Sequence, residues 1–99
     1  MVQNKFKGDL MYKVWGRLRK DNKNIRDMVA ECDLDNHTKE DCLTSCIEQI
    51  CNEFDLQRPM LLPKNQRELE KLGLTSFNQD NFIETIYFDT LEIEIIEDE

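Results

Sequence analysis

The sequence predicts an α+β domain: a three-stranded, mostly antiparallel sheet with one main amphipathic helix packed on one face. Three observations predict it. Tyr12–Arg19 alternates apolar and polar residues with period two, the signature of a half-buried strand. Leu43, Cys46, Ile47, Ile50 and Phe54 recur at i, i+3, i+4, i+7 and i+11, a single stripe on a helix. Leu91, Ile93 and Ile95 alternate with Glu92 and Glu94, a second strand signal close to the end of the 99 residues.

Residues 1–10 are polar and weakly patterned and are expected to form a flexible lead-in, with one α+β domain over 11–97. In the first strand Tyr12, Val14, Gly16 and Leu18 share the inner face, and Lys13, Trp15, Arg17 and Arg19 the outer. A glycine in mid-strand marks a bulge or a close approach by another element. Lys20-Asp21-Asn22-Lys23 is a turn, because Asp and Asn tolerate left-handed backbone. Asn24–Cys32 returns as the second strand, with Met28, Ala30 and Cys32 inward. Thr38 caps the main helix, with Asp41 three residues on, and the helix runs to Phe54 or Asp55. Pro59 and Pro63 make Leu56–Pro63 an extended segment over the core. Asn65 caps a short helix over Gln66–Leu72, with Leu69 and Leu72 inward and Gly73 past its end. Thr75–Asn81 is polar apart from Phe77 and has room for one helical turn. Ile86–Ile96 is the third strand. The expected order is β-β-α-α-β.

The net charge of −8 divides unevenly: +6 on residues 1–26 against −14 on 27–99. The preferred explanation lies in the fold. If the first strand is central, its cations stand between the acids of its neighbours, and each cross-strand pair contributes roughly 0.2–1 kcal/mol. The other explanation is a basic arm. Trp15 among Lys13, Arg17 and Arg19 can stack and charge-pair with single-stranded nucleic acid, although the overall charge opposes it. A third possibility is an acidic decoy surface, since residues 84–99 hold seven acids and no base.

Cys32, His37, Cys42 and Cys46 have the spacing C-x4-H-x4-C-x3-C. Thiolates and an imidazole suit zinc, but there is no C-x2-C knuckle and Cys46 lies on the apolar stripe. The preferred reading is therefore cysteines in the core, with His37, the only histidine, solvated in its loop. Nucleotide-binding, hydrolase and metalloprotease signatures are absent, so no catalytic residue and no cofactor are assigned. No apolar run approaches the ~20 residues of a membrane span, and Met1–Lys7 lacks the apolar core of a secretory signal. A cytoplasmic setting with reduced thiols follows as the expectation.

The hairpin Tyr12-Lys13-Val14-Trp15-Gly16-Arg17-Leu18-Arg19-Lys20-Asp21-Asn22-Lys23, with Asn78–Glu84 and Leu91–Ile96, resembles a group of small uncharacterised proteins of anaerobic Gram-positive bacteria. The resemblance spans most of 11–97. It implies an intracellular bacterial setting and brings no activity, ligand or site residue with it.

The functional expectation is a non-enzymatic protein-interaction module, acting on an unknown protein partner or on itself as a homodimer. Its surface is the outer sheet face with Trp15, Arg17, Arg19, Val29 and Ile96. The alternatives are nucleic-acid binding by the basic hairpin and a metal or redox role for the cysteine cluster.

Overall fold

The computed structural model describes residues 10–98, for Asp98 the backbone only. The lead-in expected over 1–10 falls outside them except for Leu10, whose carbonyl accepts the Leu34 amide at 2.9 Å. Strands β1 (Met11–Lys20) and β2 (Lys23–Asp33) form an antiparallel hairpin. Asp21 and Asn22 close it, both with positive φ (55° and 66°). Two successive left-handed residues match the right-handed twist of the strands. Helix α1 (Lys39–Phe54) starts at Thr38, whose hydroxyl accepts from the Asp41 amide at 3.1 Å, and ends on Asp55 in the left-handed conformation.

Helix α2 (Pro63–Leu72) begins three residues before the expected start and ends on Gly73 with φ +67°. Asn65 is therefore inside the first turn. It still caps the helix by reaching back, since its Oδ1 accepts from the Leu62 amide at 3.1 Å. Proline at the first helical position loses no hydrogen bond, because that amide has no partner within the helix. Leu69 is buried as expected, but Leu72 is 71% exposed, one residue before the chain turns away.

The sheet has four strands, not three, in the order β2-β1-β4-β3. The additional strand is β3 (Leu74–Phe77), antiparallel to β4 (Thr90–Asp98). Four residues are too few to show a period, and β3 owes its place to long-range contacts. A 3-10 turn, Gln79–Asn81, follows it. The last strand also starts later than expected, at Thr90, because Phe88 turns into the core and Asp89 donates its amide to the Arg19 carbonyl at 2.9 Å.

Both helices lie on one face. Tyr12, Val14, Leu18, Leu91, Ile93 and Phe77 are buried beneath them. At Gly16 the helix comes so near that a Cβ would stand 2.7 Å from Ile50 Cγ2. Glycine is there to admit Ile50. In α2, Asn65 Nδ2 donates to Thr75 Oγ1 (2.8 Å) and to the Ser76 carbonyl (3.0 Å), which ties that helix to the same side of the sheet.

Candidate functional site

Among the described residues, no helix covers the other face of the sheet, and most of the chain's patterned charge sits there. β1 is central, as the charge asymmetry predicts. Its register sets Trp15 opposite Glu94, Arg17 opposite Glu92 and Lys13 opposite Glu97 on β4, with Val29, Asp27 and Glu31 of β2 on the other side. Arg17 donates through Nε to Glu92 and through Nη1 to Glu94, both at 3.0 Å. Its guanidinium carbon lies 4.2 Å from the centre of the Trp15 ring. The side chain is only 12% exposed for a residue on an uncovered face.

Burial opposes the charged guanidinium, but the hydrogen bonds and charges of Glu94 and Glu92 outweigh it, so its pKa stands above the ordinary arginine value. Arg19 Nε approaches Glu92 at 3.8 Å and its Nη1 donates to Asn24 at 2.6 Å, and Lys13 Nζ is 3.5 Å from Glu97. Asp27 faces Arg17 in register but accepts a hydrogen bond from the Trp15 indole instead, at 3.0 Å. Lys13, Arg17 and Arg19 thus have carboxylate partners. A phosphate bound here would have to displace them.

Trp15 and Val29 are register partners, and Leu74 of β3 sits opposite Glu94 in the same row. Val29 is 46% exposed and Leu74 37%. Ile96, grouped with them by alternation, is the unpaired residue of a bulge where the register shifts between Lys13 and Val14. It lines a 280 Å³ hollow with Leu69, Glu70 and Gly73 at the α2 side. A bulge cannot be read from alternation, because the period continues through it.

The cysteines sit at the other end of the hairpin. Cys32 near the end of β2, His37 in the loop and Cys42 in the first turn of α1 bring their ligand atoms within 4.8 Å of one another. Cys46, one turn further along α1, is not in this group. All four cysteines are buried and free. Burial, together with a hydrogen bond shared with Cys32, pushes the Cys42 thiol up to about 12. Burial raises Cys46 to about 12 and Cys51 to about 11. The loop is ordered by Asp33, whose carboxylate accepts from the Asp35 amide and from Asn36 Nδ2, each at 2.8 Å. Those bonds, the Asp35 amide foremost, hold Asp33 below the usual carboxylate range.

Two features escape sequence reasoning. One is a 420 Å³ cleft between α1 and α2, with Tyr12, Leu43, Leu61, Leu69 and Ile95 on its walls and Lys39 and Glu70 at its rim. Its walls come from five separate segments, so no local pattern announces it. The other is a buried amide pair. Asn81 Nδ2 donates to Asn65 Oδ1 (2.9 Å) and to the Met60 carbonyl (2.8 Å), which fixes the extended Leu56–Leu62 segment over the core. These groups are fully partnered and serve the fold.

No protein-family model, curated protein or solved structure matches the chain. Among the described residues, no helix is long and apolar enough to cross a membrane.

Proposed function

We propose that the protein is a non-enzymatic contact module of the bacterial cytoplasm implied by its resemblance, and that it docks a second copy of itself through the uncovered sheet face. The observation that carries this reading is that both helices lie on one side while Trp15, Val29 and Leu74 stay on the other. Sheets bury one face as a rule, and large apolar groups left on the other mark a contact surface.

The size of the face sets the strength of the contact. Three long strands about 4.8 Å apart, at about 3.3 Å per residue, give an area of roughly 500 Å². Stable interfaces take about 800 Å² from each partner, so the dimer is reversible. The face also carries both signs of charge, a row of cations flanked by acids. Those charges are largely paired within the sheet, so the attraction between copies comes from Trp15, Val29 and Leu74.

Sedimentation velocity over a concentration series, from the micromolar range toward millimolar, tests this. The expected weight-average mass climbs from one chain toward two, and Val29→Arg, an exposed position that the fold tolerates, suppresses the climb. One chain at the highest concentration would end the reading.

A further inference from the structure

We propose that Cys32, His37 and Cys42 form a binding site for zinc or a similar borderline divalent cation, which clamps the end of the hairpin to the start of α1. The site is independent of the sheet face. Its three ligand atoms come from a strand, a loop and a helix, yet lie within 4.8 Å of one another. A tetrahedral centre with Zn–S of about 2.3 Å and Zn–N of about 2.0 Å spaces its ligand atoms about 3.5–3.8 Å apart. Closing the group onto an ion therefore takes a movement of about 1 Å, within reach of an exposed loop residue such as His37.

The surroundings orient the ligands. The Asp33 carbonyl meets His37 Nδ1 at 3.0 Å and accepts from the Cys42 thiol at 3.7 Å. With Nδ1 turned to a carbonyl, Nε2 is the nitrogen left to ligate. Metal-binding histidines are commonly fixed by this kind of second contact. Two sulfurs and an imidazole select zinc over calcium or magnesium, which prefer oxygen. Cys46 lies outside the group, so the fourth position falls to water on the exposed side, beside His37. The two thiols release their protons as the cation binds. A purely apolar role for Cys32 and Cys42 accounts for their burial, but not for an exposed imidazole within reach of both sulfurs.

Cobalt(II) reads this site through its absorption. Added to reduced, chelator-treated protein, one equivalent is expected to produce a thiolate-to-cobalt charge-transfer band and the strong d–d bands of a tetrahedral centre. One equivalent of zinc then removes them. Cys42→Ser is expected to abolish the bands. His37→Ala, at an exposed position, should weaken binding at least about tenfold with an unchanged circular dichroism spectrum. Cys46→Ala should retain them. Absence of the charge-transfer band overturns the proposal, as does equal affinity in His37→Ala and the parent. Loss of the band in Cys46→Ala overturns the three-residue assignment. If Cys42→Ser fails to fold, the His37→Ala comparison decides.

Discussion

The two faces of the sheet are built from the same strands by different physics. Under the helices, Val14, Leu18, Leu91 and Ile93 are sealed from water and Gly16 leaves room for Ile50. On the uncovered side, Lys13, Trp15, Arg17 and Arg19 alternate with them along β1 and meet Glu92, Glu94, Glu97 and Asp27. The covered face supplies stability through area and close packing. The open face supplies register, because sliding β4 along β1 by two residues keeps the apolar side inward but moves every ion pair. One strand thus carries two kinds of information, one on odd and one on even positions.

The sharpest way to break the contrast is to open a hole under the helix. Ile50→Ala removes a side chain with no exposed surface and is expected to cost about 2–5 kcal/mol in a urea denaturation series. Gly16→Val attacks the same contact from the sheet. Its Cβ would stand within 2.7 Å of Ile50, and the overpacking is expected to cost about 1–3 kcal/mol.

The open face should yield less. Arg17→Met keeps the aliphatic stem over Trp15 but removes the charge from between Glu92 and Glu94. A loss of about 1 kcal/mol is expected, larger than for an ordinary surface pair because the arginine is largely buried. A loss as large as that of Ile50→Ala would erase the distinction between the faces. Alkaline pH tests the covered face from another side. Burial raises Cys51 from the ordinary 9.0 to about 11. Above pH 9 the unfolded chain gives up this thiol proton first, so stability falls as pH rises toward 11. Denaturation midpoints at pH 8 and pH 10 measure it, and Cys51→Ala reduces the slope while the raised thiols of Cys42 and Cys46 supply the remainder.

Much of this arrangement is legible in the residues. Alternation in Tyr12–Arg19 identifies both faces of β1, the Asp21-Asn22 pair the turn, and the Leu43–Phe54 stripe the helix. The charge asymmetry places β1 between acidic neighbours, and the register bears this out. The failures share a cause. Strand β3 is four residues held by Asn65 and β4, contacts that no local period reports. Ile96 leaves its face at a bulge. Leu72 completes an apolar pair with Leu69 in sequence, yet the helix ends before it can be covered. In the cysteine cluster, the spacing raises a metal site but argues for core residues, whereas the loop geometry brings the imidazole to the two sulfurs. Spacing records which residues are near in sequence, and a loop decides which atoms meet.

The central claim is that Lys13, Arg17 and Arg19 of β1 are engaged by the acids of β4 within the sheet. A double-mutant cycle on Arg17→Met and Glu92→Gln, followed by urea denaturation, tests it most directly. The expected coupling is about 0.5–1 kcal/mol, beyond the error of additivity. Additive effects, with no coupling between the two positions, would contradict the arrangement and leave the cations of the hairpin free for another ligand.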